Sequence, residues 1–152
     1  MSLGRLGRGE LLAVAGGILL ALGLFLPWYE TNPANRNAAI DGMRGSLSCW
    51  EVHPILRWLL LAAAAAPLIL AWIIIRDHEL SWPRGEMTAV VAMVALVLVL
   101  YVGVVSRPGD PRSQISLQIG WWLSVAGCLL MIVGGASRAA STERPRKPPG
   151  VL

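Results

Sequence analysis

Charged side chains are scarce in this sequence. Only 14% of its 152 residues are charged, against about 25% in a typical soluble domain. The deficit excludes an ordinary soluble domain and indicates that much of the surface faces lipid. The apolar residues form long blocks without helical spacing, which argues against a soluble helical protein with a large core.

Cysteine and histidine are also rare, with two of each. Cys49 and Cys128 form no C-x-x-C pair, which excludes the four-helix quinone reductases that generate disulfides, and they should lie at different depths, so we expect no internal disulfide. His53 and His78 would lie about 37 Å apart along a helix, too far to ligate one haem or metal ion. We therefore expect no cofactor and no metal.

Catalytic and ligand-binding motifs are missing. Small multidrug transporters carry a carboxylate deep in the first span, whereas Glu10 lies at the edge of the first apolar block. No glycine-rich phosphate loop, Ser-His-Asp set or zinc-ligand cluster is visible. The net charge of +4 is spread over loops and tails without a basic helix face, so we expect no nucleic-acid partner. No catalytic residue is predicted.

The sequence does contain four uncharged apolar blocks. Each is close to the roughly 20 residues that a membrane-spanning helix needs. They predict an all-α fold, a transmembrane four-helix bundle that runs up-down-up-down within residues 1–140. A disordered basic cytoplasmic tail is predicted at 141–152. The predicted spans are residues 10–29, 55–75, 86–106 and 117–137, and residues 30–54 form the predicted outer loop.

Loop charges predict the orientation of these spans. The two ends and the second loop hold eight Lys and Arg residues, and the other two loops hold five, counting Arg57 at the membrane edge. Cytoplasmic loops carry the excess of Lys and Arg. We therefore expect a multi-pass protein of the plasma (inner) membrane with both termini cytoplasmic. The first block lacks an A-x-A cleavage site, so we expect an uncleaved helix rather than a signal peptide.

Aromatic residues near the ends of the blocks are predicted to lie at the depth of the lipid headgroups. Indole rings favour that depth because they are apolar and carry one N–H. Trp28 and Tyr29 are predicted to end the first span there, Trp58 to mark the second, and Trp121 and Trp122 to open the fourth.

The predicted outer loop carries signals of local order. Ser48 and Glu51 have the spacing of a capping box, which predicts a short interfacial helix or an early start of the second span. Pro54 would either kink that helix or begin the membrane part afresh. Cys49 is expected to be a buried small apolar residue, although a free thiol that links two chains is an alternative.

Small residues recur along the first and fourth spans. Helices in lipid approach closely where side chains are small. We expect packing inside the bundle, with a docking face for another protein as the alternative. The candidate residues are Gly16, Gly17, Gly120, Ser124, Gly127, Cys128 and Gly134.

Arg57 is an ionisable residue at the edge of an apolar block. A charged residue at membrane depth suggests a functional role. Arg57 is expected to reach a lipid headgroup or to pair with Glu51. With His53, these residues form a candidate outer-interface cluster.

Three short patches suggest a family. Phe25-Leu-Pro-Trp28-Tyr29 ends the first block, Ser48-Cys-Trp-Glu51 precedes the second, and Gly120-Trp121 opens the last. The pattern resembles that of small four-helix membrane proteins of high-GC Gram-positive bacteria. This resemblance implies the four-helix architecture but no activity.

A second similarity is to claudin-like proteins, which also have four spans with both ends inside. Trp28 and the segment from Gly45 to Cys49 echo their first outer loop. The G-L-W motif and the second loop cysteine are absent, so the resemblance implies the architecture without a disulfide-pinned sheet.

We therefore expect a non-enzymatic accessory, structural or interaction subunit. Its partners would be the lipid bilayer and either another membrane protein or a second copy of itself. The alternatives are a small transporter or lipid-handling protein that acts as an oligomer, and an enzyme that uses Arg57, Glu51 and His53 at the outer interface.

Overall fold

A computed structural model describes residues 6–76 and 84–142 of the chain. Of the tail predicted to be disordered at 141–152, residues 141 and 142 belong to the last helix. The rest of that tail, His78 and most of the second loop lie outside the described residues. Four helices are long and apolar enough to cross a membrane. This part of the prediction is confirmed. The prediction of an all-α fold is wrong, because three short strands form a sheet at one end of the helices.

The elements follow one another in a simple order. The helices are α1 (Arg8–Phe25), α2 (Cys49–Val52), α3 (Leu56–Ile75), α4 (Arg84–Leu100) and α5 (Ile119–Thr142). The strands are β1 (Pro27–Thr31), β2 (Ser46–Ser48) and β3 (Ile115–Leu117). A π-helical turn, Tyr101–Val105, continues α4, and a 3₁₀ turn, Arg112–Gln114, precedes β3.

Proline ends α1 earlier than predicted. The predicted first span ran to Tyr29, but Leu26 is already extended, with φ −83° and ψ 157°. The ring of Pro27 disfavours helical backbone at the preceding residue, and Pro27 itself begins β1. Residues predicted to continue a membrane helix therefore form the central strand of the sheet.

The sheet is antiparallel, with β1 between β2 and β3. Tyr29 pairs with Leu47 on one side and with Leu117 on the other. The register shifts between Pro27 and Tyr29, so Trp28 and Tyr29 are both buried although they are consecutive. Both rings pack between the sheet and the helices instead of on the outer surface, and their depth in a membrane stays a prediction.

The helices pack as antiparallel pairs around α1 and α5. The start of α1 lies against the end of α5, since Gly9 touches Gly134, and the end of α1 lies against the start of α5, since Gly23 touches Gly120. α3 packs mainly on α1, and α4 mainly on α5. The outward faces are apolar, with Leu59, Val97 and similar side chains more than half exposed, as expected for a surface in lipid.

Candidate functional site

The predicted small-residue stripe lies largely inside the α1–α5 interface. Gly9, Gly16 and Gly23 recur every seven residues, and so do Gly120, Gly127 and Gly134 on the opposing helix. A heptad spacing keeps one seam of a helix facing its neighbour. A Cβ atom on Gly134 would lie 2.5 Å from the Gly9 carbonyl oxygen, so a larger residue would push the two backbones apart.

The other members of the stripe have separate partners. Ser124 donates from its hydroxyl to the Gly120 carbonyl at 2.8 Å and contacts Gly23. Cys128 is buried. Gly17 faces α3, where an added Cβ would lie 2.6 Å from the Ala64 carbonyl oxygen. The candidate residues therefore belong to two interfaces within one chain.

Glu51, His53 and Arg57 lie close together in sequence but face different surroundings. Glu51 accepts the backbone N–H of Ser48 at 2.8 Å, and the Ser48 hydroxyl donates to the same carboxylate oxygen at 2.8 Å. These two hydrogen bonds lower the pKa of Glu51. The predicted capping box is thus confirmed, and the Ser48 hydroxyl also donates to the Glu51 carboxylate. Glu51, His53 and Arg57 thus each make hydrogen bonds to a different residue.

His53 lies beneath the sheet against two buried rings. The Tyr29 hydroxyl is 2.9 Å from His53 Nε2 and donates to the Val102 carbonyl oxygen at 3.2 Å. With its proton given to Val102, the hydroxyl accepts from the Nε2–H of a neutral imidazole. Burial lowers the pKa of His53, partly offset by the charge of Asp41. Burial also raises the pKa of Tyr29, so both groups are held neutral.

Carbonyl groups in and just before the π-helical turn accept hydrogen bonds from side chains elsewhere in the protein. A π-turn shifts the helical hydrogen-bond pattern and leaves carbonyl groups free for other donors. Beside the Tyr29–Val102 bond, Gly103 accepts from Arg107 Nε at 2.9 Å, and Val99, one turn earlier, accepts from Trp121 Nε1 at 3.0 Å. The end of α4 is therefore fastened to the sheet and to α5.

The surface loops complete what we call the cap, residues 27–53 and 106–118. Ile40 and Met43 pair across a two-residue hairpin in which Asp41 and Gly42 have φ of 49° and 79°, as a type I′ turn requires. Ala39 pairs with Asp110 and so ties the two loops together. Asn35, Asn37, Asp41 and Asp110 line an open polar cleft on this surface.

Arg57 occupies an aromatic pocket at the edge of the cap. Its guanidinium carbon lies 5.0 Å from the ring centroid of Trp50 and 5.6 Å from that of Trp58, and Nη1 donates to the Trp50 carbonyl at 2.9 Å. Phe25 stacks on Trp50 at 4.8 Å. Arg57 therefore does not pair with Glu51, whose carboxylate is held by Ser48.

The opposite end of the bundle is closed by a buried ion pair that sequence reasoning missed. Glu10 is 6% exposed and pairs with Arg138 of α5. The same carboxylate accepts the Gly7 backbone N–H at 2.6 Å. A cavity of about 10 Å³ beside the pair is lined by residues of all four long helices, Pro67 and Thr88 among them, and has room for about one water molecule.

The described ranges contain no cluster of metal-ligating side chains. Across residues 6–76 and 84–142, no group of three or more His, Cys, Asp or Glu side chains could hold a metal ion. Both cysteines are buried as free thiols, and burial raises the pKa of Cys49 to about 12. Comparison with known protein-family models, with curated proteins and with solved structures finds no match to this chain.

Proposed function

We propose that the protein is a non-enzymatic membrane subunit that docks a second macromolecule, either another membrane protein or a second copy of itself, through its cap. The observation that carries this proposal is the combination of a folded, polar-surfaced cap with a closed helical bundle. The cap is built from two loops that are distant in sequence and joined by the Ala39–Asp110 pairing. Loops that only connect helices do not need to be this ordered.

The closed interior argues against transport through a single chain. The glycine seam brings α1 and α5 into backbone contact, and the cavity at the Glu10 end has room for about one water molecule. The Glu10–Arg138 pair lies at that same end. A solute would therefore need a path outside the bundle, between copies of the chain.

The hydrogen bonds that Glu51, His53 and Arg57 each make to a different residue argue against an enzyme at the cap. General acid–base chemistry needs groups within about 3 Å of one substrate atom or bridged by one water. Here Glu51 is engaged with Ser48, His53 with Tyr29, and Arg57 with Trp50. Each side chain already has a structural partner.

The charge asymmetry of the loops supports an orientation for this proposal. The eight Lys and Arg residues on the side of the termini favour a cytoplasmic location for both ends in a plasma membrane. The cap would then lie outside the cell, where its cleft is open to a partner.

Photo-crosslinking in intact cells tests the docking proposal. A photoreactive residue at Asn37, in the polar cleft, is expected to give a discrete adduct of higher mass, identified by mass spectrometry as another membrane protein or a second copy. A matched probe at Val97, on the lipid face of α4, should give no protein adduct. Adducts at Val97 with none at Asn37 would contradict docking through the cap.

A further inference from the structure

Arg57 leaves most of its hydrogen-bonding capacity unused. A guanidinium group carries five N–H donors. One of them reaches the Trp50 carbonyl, and Nε is buried without a hydrogen-bond partner. Within residues 6–76 and 84–142 the other three donors have no hydrogen-bond acceptor and no carboxylate pairs with Arg57. The cation is held in place by aromatic rings and not neutralised by the protein.

The position of Arg57 along α3 matches the depth of lipid phosphates. α3 has 20 residues, so at 1.5 Å per residue it spans about 30 Å, the thickness of a hydrocarbon core. Arg57 stacks with Trp50 and Trp58 at its first turn, and Arg76 stacks on Trp72, 4.5 Å away, at its last turn. The two arginine–tryptophan stacks bracket the apolar length of this helix.

The surroundings of Arg57 fit a lipid better than a soluble anion. Ile55, Trp58 and Leu59 are 76%, 56% and 54% exposed, so an apolar surface continues down α3 from the guanidinium. Arg57 lies in the first turn of α3, which is the positive end of the helix dipole. A phosphodiester with acyl chains complements both features, because its charge meets Arg57 while its chains cover the apolar side chains.

We propose that Arg57, enclosed by Trp50 and Trp58, binds the phosphodiester of one phospholipid at the cap end of the bundle. The acyl chains lie along the exposed face of α3. The inference rests on the membrane location proposed above but not on docking by the cap, so the Asn37 crosslinking result and this lipid site can fail independently.

Native mass spectrometry of the full-length protein in mild detergent tests the site. Titration with phosphatidylglycerol should show one tightly bound lipid on the wild type. Arg57→Gln should weaken that binding about tenfold or more, since a charge-assisted hydrogen bond is lost. Arg44→Gln removes an exposed arginine from the same end and should bind like the wild type.

Two further ligands identify what the site recognises. Diacylglycerol, which has the acyl chains without the phosphate, should bind poorly, and inorganic phosphate should not displace phosphatidylglycerol. Equal binding of diacylglycerol, competition by inorganic phosphate, or unchanged affinity in Arg57→Gln would overturn the proposal. A dimer that Arg57→Gln dissolves, with no bound lipid, would assign the patch to a second copy instead.

Milder variants keep the test decisive if Arg57→Gln does not fold. Arg57→Lys retains the charge but loses the planar group that stacks between the rings, and Trp58→Leu retains apolar bulk but loses one ring. Both should keep the helical circular dichroism signal and bind phosphatidylglycerol more weakly than the wild type. Wild-type affinity in both variants would contradict the site.

Discussion

Gly16 of α1 and Gly127 of α5 pack backbone to backbone. A Cβ atom added to either glycine would lie 2.6 Å from the carbonyl oxygen of the other, closer than van der Waals contact allows. The relationship is reciprocal because the helices are antiparallel. It recurs one heptad away in both directions, at the Gly9–Gly134 and Gly23–Gly120 pairs, so the seam runs along most of α1.

Enlarging one glycine of this seam should loosen the bundle. Gly127→Leu is expected to destabilise the protein by about 1–3 kcal/mol, the usual cost of overpacking, seen as a lower midpoint of thermal unfolding in detergent. Ala136→Leu places the same side chain at an exposed position of α5 and should change stability by less than about 0.5 kcal/mol. Unchanged stability with loss of a co-purifying partner would show that Gly127 faces another protein.

The Tyr29 hydroxyl should contribute to holding the cap on the bundle. Tyr29→Phe leaves His53 Nε2 and the Val102 carbonyl without that partner, at a cost of about 1–3 kcal/mol for buried groups left unsatisfied. Tyr101→Phe removes a hydroxyl from a residue that is 52% exposed and should be nearly neutral. Equal unfolding midpoints for the two variants would show that the Tyr29 hydrogen bonds contribute nothing to stability.

Acid should destabilise the cap through His53. Folding lowers the pKa of His53 below its ordinary 6.5, so the unfolded chain binds more protons than the folded one between those two values. The stability that this group contributes is therefore present above about pH 6.5 and is lost as the pH falls toward the folded pKa. The unfolding midpoint should drop between about pH 7.5 and about pH 5. His53→Gln should reduce that drop, and an identical drop in the variant would show that other groups cause it.

Cys49 should resist thiol reagents in the folded protein. It is fully buried and its pKa of about 12 leaves almost no thiolate at neutral pH. A membrane-impermeant maleimide should label it only after unfolding, whereas Ser113→Cys, at an exposed position of the cap, should react at once. Rapid labelling of Cys49, or a Cys49-dependent dimer without reductant, would show that the thiol is accessible.

The four spans could be predicted from sequence because their signal is local. A block of uncharged residues of the right length indicates a membrane helix wherever its partners are. The spacing of Ser48 and Glu51 similarly predicts the start of α2, because a cap involves only neighbouring residues. The seven-residue recurrence of Gly120, Gly127 and Gly134 is equally visible in the sequence.

The sheet could not be predicted from local pattern alone. Its central strand is five residues long and follows directly on an apolar block, so Trp28 and Tyr29 read as the end of a span. Its pairing with β3 joins residues more than 80 positions apart, a distance at which sequence periodicity carries no information. The one local signal was Asp41-Gly42 beside apolar residues, a hairpin turn. The Glu10–Arg138 pair is a long-range contact of the same kind.

The central claim is tested most directly by measuring on which side of the membrane the cap lies. A single cysteine placed at Asn37 in the cap, or at Ala140 near the end of α5, can be probed with an impermeant maleimide on intact cells, because Cys49 and Cys128 are buried and give little background. We predict labelling of Asn37→Cys in intact cells and of Ala140→Cys only after permeabilisation. The reverse pattern would place the cap in the cytoplasm and contradict its proposed role as an external docking surface.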